Sequence, residues 1–117
     1  MADVEALMKE FRNNQEELQK IRDNHNQALS KMNENDMVMK ELAILPDSSN
    51  VFKLIGPALV KQDPEEAKAN VKTRMDYIRK DLKRSDERQK EIEAKLLELR
   101  GKIVAAQQAK QKESESE

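Results

Sequence analysis

The chain has no cysteine and no tryptophan, a single histidine, two glycines and three prolines, and its aromatic side chains are confined to Phe11, Phe52 and Tyr77. Without cysteine there is no disulfide framework, thiolate metal site or cysteine nucleophile. One histidine, His25, excludes a multi-histidine metal centre, and no metal or cofactor site is assigned. Compact cores lean on aromatic bulk, which is scarce here. No apolar run approaches the ~20 residues of a membrane span. Residues 1–12 lack the apolar stretch of a secretory signal, so a cytoplasmic protein without a membrane partner is expected. There is no glycine-rich phosphate loop. Acid pairs such as Glu16-Glu17 and Glu65-Glu66 diverge on a helix instead of sharing a pocket. Ser48-Ser49 has no histidine positioned to activate it. An enzyme is not expected.

What remains is charge and helix formers. Of 117 residues, 38% are charged and 37% apolar, the latter more than a disordered chain usually carries. Stepping alternately by three and four from Val4 gives Leu7, Phe11, Asn14, Leu18, Ile21, His25, Ala28, Met32, Asn35, Met39 and Leu42, of which nine of twelve are apolar. The same stepping from Val71 gives Met75, Ile78, Leu82, Ser85, Gln89, Ile92, Leu96, Leu99, Ile103 and Ala106, nine of eleven apolar. Two sustained heptad patterns predict two coiled-coil helices.

Between them Leu45-Pro46-Asp47-Ser48-Ser49-Asn50 reads as a helix stop and turn. Val51-Phe52-Lys53-Leu54-Ile55 and Ala58-Leu59-Val60-Lys61-Gln62 are β-prone, and Gly56-Pro57 has the length of a tight hairpin turn. The second helix is signalled by Asp63 as a cap, Pro64 in the first turn, and Glu65-Glu66 at the positive end of the dipole. The expected fold is mainly α, an antiparallel two-helix coiled coil with a β-hairpin at the bend. Helix 1 spans about 3–45, the hairpin about 51–62 and helix 2 about 64–110, one domain over 1–112. The acidic tail 113–117 is expected to be disordered.

If Leu42 meets Val71, facing positions sum to about 113 or 114. Ala28 then lies level with Ser85, and His25 with Gln89. His25, Asn14 and Asn35 read as polar layers that set register, in preference to a metal site or pH switch; either asparagine could instead loosen the coil. Residues 1–44 carry a net charge of −3 and residues 65–112 a net of +5, which suits two helices side by side. The basic run Arg79-Lys80, Lys83-Arg84, Arg88 and Lys90 is interleaved with Asp76, Asp81, Asp86 and Glu87. With no aromatic stacking platform or groove-reading motif, it reads as a solvated face and not as a nucleic-acid site.

A lone two-stranded hairpin is marginal in water, and this one carries apolar side chains on both faces. Phe52 and Leu54 lie on one, Val51 and Ile55 on the other. The expectation is that hairpins of several chains join into an oligomeric β-barrel hub, with Val51, Phe52, Leu54, Ile55, Leu59 and Val60 making the assembly surface. At the far ends of the helices, Met8 and Val104 lie beside the seam residues Leu7 and Ile103. The stripe there is wider than a two-helix seam needs.

The run from Val51 to Asp63, Val51-Phe52-Lys53-Leu54-Ile55-Gly56-Pro57-Ala58-Leu59-Val60-Lys61-Gln62-Asp63, set between two heptad helices, resembles the β-class subunits of prefoldin. The likeness extends from Val4 to about Ala109. It implies a hetero-hexamer in which this chain has two α-class and three further β-class partners. Their hairpins form the hub, and coiled-coil arms project from it. It implies an ATP-independent holding chaperone whose arm ends cradle unfolded actin and tubulin and pass them to the cytosolic chaperonin. On that reading the client-binding residues are Val4, Leu7, Met8, Phe11, Ile103, Val104 and Ala106. The alternative is a structural coiled-coil adaptor that binds no client.

Overall fold

The computed structural model describes residues 3–46 and 48–116. In chain order these form α1 (Val4–Ile44), β1 (Val51–Ile55), β2 (Ala58–Gln62) and α2 (Pro64–Ser116). The chain divides into two units. A terminal unit comprises the chain up to His25 and from Arg84 onward, and a hairpin unit comprises Asn26–Lys83.

Asp3 starts α1: its Oδ1 accepts the Glu5 amide at 3.1 Å, and its carbonyl accepts the Leu7 amide at 3.1 Å. This is an N-cap, satisfying donors that have no partner within the helix. α1 ends at Ile44, two residues before Pro46, whose ring disfavours helical geometry in the residue ahead of it. The Ser49 amide then bonds the Pro46 carbonyl at 2.9 Å and closes the expected turn; Asp47 lies outside the described residues, as do residues 1–2 and Glu117. Pro64 opens α2, where its missing N–H costs nothing, and the Ala67 amide bonds the Asp63 carbonyl at 2.9 Å.

The strands pair antiparallel, from Val51 opposite Gln62 to Ile55 opposite Ala58. Gly56 has φ +58° and no other described residue outside glycine has positive φ. A positive first and negative second central residue make this a type II′ turn, whose twist matches the strands.

All twelve expected seam positions of α1 and all eleven of α2 are buried or half-buried. In the hairpin unit Leu42, Ala67, Val71 and Met75 form the core, with Met32, Met39 and Val51 packed against it. In the terminal unit Leu18, Ile92 and Leu99 are buried, the last two almost completely. Ion pairs link its helices: Glu10–Lys95 at 3.6 Å, Glu17–Arg88 at 2.7 Å and Arg22–Glu93 at 3.1 Å. Glu10 and Glu17 are seven apart, as are Lys95 and Arg88, so one flank of the seam is acidic on α1 and basic on α2. That is the complementarity the charge asymmetry implied. All six side chains are about half exposed, so each pair is worth at most ~1 kcal/mol and chiefly fixes orientation.

The structure corrects three expectations. His25 meets Ser85 and not Gln89, with Nδ1 3.2 Å from the Ser85 Oγ. Facing positions in the terminal unit therefore sum to about 110, one helical turn from the expected 113 or 114. The reason is visible in the hairpin unit, where Ala67 is buried four residues ahead of Val71. The seam of α2 begins a turn earlier than a pattern counted from Val71. Asn14 and Asn35, expected as cross-seam layers, turn back on their own helix, donating to the Glu10 carbonyl at 2.8 Å and the Lys31 carbonyl at 2.7 Å. Finally, α2 continues to Ser116 instead of stopping near 110, taking in described residues of the expected tail. No proline or glycine follows Gly101, and the Ala, Gln, Lys and Glu there are good helix formers.

Candidate functional site

Each unit keeps an apolar surface open to solvent. In the hairpin unit, strand alternation puts Phe52, Leu54, Leu59 and Lys61 on one face. Val51, Lys53, Ile55, Ala58, Val60 and Gln62 occupy the other. Val51 alone is drawn into the core, which tethers the hairpin to the helices. Phe52 is 54% exposed, Leu54 68% and Leu59 69%, while Ile55 and Val60 on the opposite face are also open. Leaving five such side chains wet forfeits several kcal/mol at ~25 cal/mol per Å², and among the described residues neither outer strand edge is paired. The expected assembly residues are therefore all on one hairpin, five exposed and one anchoring. Sequence reasoning missed Met37, Val38 and Ile44, exposed on the last turns of α1, and Leu45 just beyond them. The available signal was that apolar residues there outnumber what one seam can bury.

In the terminal unit two grooves run between the helix ends. Val4 and Leu7 face Ala105, Ala106 and Ala109 across a cavity of about 780 Å³. Met8, Phe11, Ile103 and Val104 line a second, of about 300 Å³, bordered by Arg12 and Arg100. All seven residues expected at the helix ends thus line one or the other. Val4, Leu7, Phe11, Ile103 and Ala106 are half-buried, whereas Met8 and Val104 stand exposed at 44% and 46%. The arginines and Ala105 and Ala109 were not foreseen; their positions beside seam residues were the signal.

The polar groups are engaged in structure. His25 lies level with Ser85, and Gln89, one turn further along α2, donates its amide to the same Ser85 hydroxyl at 3.4 Å. In the basic run, Arg79 pairs with Asp76, Lys90 with Asp86, and Arg88 with Glu17 and Glu91. The hydrogen bonds that Arg88 donates, to Glu17 first and Glu91 second, raise its pKa, and the hydrogen bond that Lys102 donates lowers that of Glu98. Both shifts belong to solvent-facing ion pairs and neither group lines an apolar groove. Among the described residues no cluster of histidine, aspartate and glutamate could hold a metal ion, and no helix is long and apolar enough to cross a membrane.

Two long seam-forming helices joined by an exposed hairpin match a known pattern: the family model described as "Prefoldin subunit" fits residues 5–110. The chain belongs to the prefoldin family. Prefoldin subunit 6 of Arabidopsis thaliana is 41% identical over 112 residues, covering 90% of this chain and 87% of that protein. Prefoldin subunit 6 of Homo sapiens is 34% identical over 105 residues, covering 90% and 81%. The crystal structure of the prefoldin beta subunit from Thermococcus strain KS-1 superposes with a TM-score of 0.81 at 25% identity, covering 88% of this chain and 90% of that one. The beta2 subunit from the same strain shares the fold, with a TM-score of 0.69 at 21% identity over 78% of this chain and 97% of that one. As a prefoldin subunit the chain is a chaperone component that assembles with other prefoldin subunits.

Proposed function

We propose that this chain is a β-class subunit of a cytoplasmic, hexameric prefoldin, with two α-class and three further β-class partners. The complex holds unfolded proteins without ATP and passes them to the cytosolic chaperonin, actin and tubulin being its clients. The observation that carries this reading is the division of exposed apolar surface between a β-hairpin and a pair of grooves in the terminal unit. A hairpin held by its own register and by Val51 presents a fixed face, which suits permanent assembly. Phe52, Leu54, Ile55, Leu59 and Val60 supply that face.

The grooves suit a different task. Their α1 walls, including Met8 and Phe11, lie near the start of a helix, which opens more readily than a helix middle, and the thioether of Met8 adapts to unrelated surfaces. Val4, Leu7, Met8, Phe11, Ile103, Val104 and Ala106 then make contacts of ~1–2 kcal/mol each. Several chains acting together multiply them through effective concentration. Weak single contacts allow release, and multiplicity gives retention.

The test is reconstitution of the complex with and without this chain, followed by native mass spectrometry and light scattering of unfolded actin. The expected result is a hexamer containing one copy of this chain that suppresses actin aggregation. A stable hexamer with no effect on aggregation would identify a structural adaptor instead.

A further inference from the structure

The terminal unit contains five arginines: Arg12, Arg22, Arg84, Arg88 and Arg100. Arg22 pairs with Glu93, Arg88 with Glu17 and Glu91, and Arg84 is also engaged. Arg12 and Arg100 are the two that no described carboxylate neutralises. Both border the same 300 Å³ groove, one from each helix, with Met8, Phe11, Ile103 and Val104 between them. None of these six lining residues is acidic. Three other cations of the unit are matched across the seam: Lys95 by Glu10, Arg88 by Glu17 and Arg22 by Glu93. The groove is thus an apolar slot with an unmatched guanidinium on each helix.

We propose that this groove selects unfolded segments in which one or two large apolar side chains are flanked by carboxylates. The inference rests on the holding function above and narrows its substrate class. The slot takes the apolar side chain, with Met8 adjusting to its shape. Each guanidinium offers a planar fork of donors that fits a carboxylate, a geometry lysine does not supply. Both arginines are exposed, so each pair adds at most about fivefold in affinity and weakens with salt. A segment flanked by lysines meets two like charges and is disfavoured. Charge therefore sorts clients and apolar burial holds them.

The experiment uses the full chain co-assembled with its partner subunits and three labelled peptides sharing a leucine–phenylalanine centre. The flanks are glutamate, glutamine or lysine, and binding is read by fluorescence anisotropy at low and high salt. The expected result is that the glutamate-flanked peptide binds about fivefold tighter than the glutamine-flanked one at low salt, with the lysine-flanked peptide weakest. R12Q/R100Q should erase this ranking, bringing the three peptides to one affinity, and R12K/R100K should restore part of it. M8S/V104S should weaken all three peptides equally. A ranking untouched by R12Q/R100Q overturns the proposal. If M8S/V104S still weakens every peptide in that case, the holding function stands without charge selection. If M8S/V104S changes nothing, the groove holds no client and both readings fall. Doubling of the complex's mass through this face, abolished by M8S/V104S, would make a second copy the occupant and also overturn the proposal.

Discussion

Two glycines show how differently the same residue type is used. Gly56 sits at φ +58° in the hairpin turn, and a Cβ there would meet nothing within 4 Å. Alanine at this position suffers no clash, only the left-handed backbone, a cost of about 1–2 kcal/mol. Gly101 lies in mid-helix, also with nothing within 4 Å of a Cβ. Alanine there removes unfolded-state freedom and favours the helix by about 1 kcal/mol. Gly101→Ala should therefore raise the thermal midpoint of the helical signal by a few degrees. Gly56→Ala should leave that signal nearly unchanged and lower the temperature at which the complex dissociates. Circular dichroism and size-exclusion chromatography across a temperature series check both. Legibility at this scale follows chemistry. Leu18, Ile92 and Leu99 were readable as core because period alone puts them on the seam. Ala67 was not, because one small residue beside Glu65-Glu66 looks like the polar start of a helix. The bonds of Asn14 and Asn35 were not readable either, since an amide's choice between its own helix and its neighbour is a matter of rotamer.

Helix pairing turns on where the polar layer falls. Heptad spacing fixed which face of each helix is buried, but a slip of one turn keeps apolar residues facing apolar residues almost everywhere. Only the hidden first turn at Ala67 separates the two registers. The His25–Ser85 bond at 3.2 Å decides between them. His25→Leu with Ser85→Leu should stabilise the coil by more than the two single changes together, because each single change leaves a polar partner against an apolar one. The coupling should be about 1 kcal/mol for His25 with Ser85 and smaller for His25 with Gln89, measured by urea unfolding in a double-mutant cycle. Equal coupling at Gln89 would restore the slipped register. The flanking ion pairs should contribute little by comparison. Glu17→Gln is expected to cost less than ~1 kcal/mol, and that cost should shrink as salt is added.

The whole chain reads as a subunit because neither apolar surface can be satisfied from within. The hairpin and the helix ends were legible in the sequence: strands with apolar residues on both faces, and a stripe too wide for one seam, need no structure to be seen. The surplus of apolar residues at Met37, Val38, Ile44 and Leu45 was also there to be counted, but which of them stay exposed depends on how the turn leaves the end of α1. Phe52→Ser and Leu54→Asp should each prevent assembly while preserving helicity, because they put polar groups into the face expected to be buried by a neighbour. Normal complex formation by both variants in size-exclusion chromatography would remove the hairpin from the interface. The central claim is that helix-end apolar residues hold clients while the hairpin holds the complex together. It is tested most directly by actin aggregation in the presence of a hexamer whose mass has been verified. In that hexamer Met8 and Val104 of this chain, and the matching exposed residues of the other subunits, are changed to serine. Because Met8 and Val104 are exposed and not part of the seam, folding and assembly should be unchanged while protection of actin falls sharply. Full protection by such a hexamer would contradict the account and move client binding away from the helix ends.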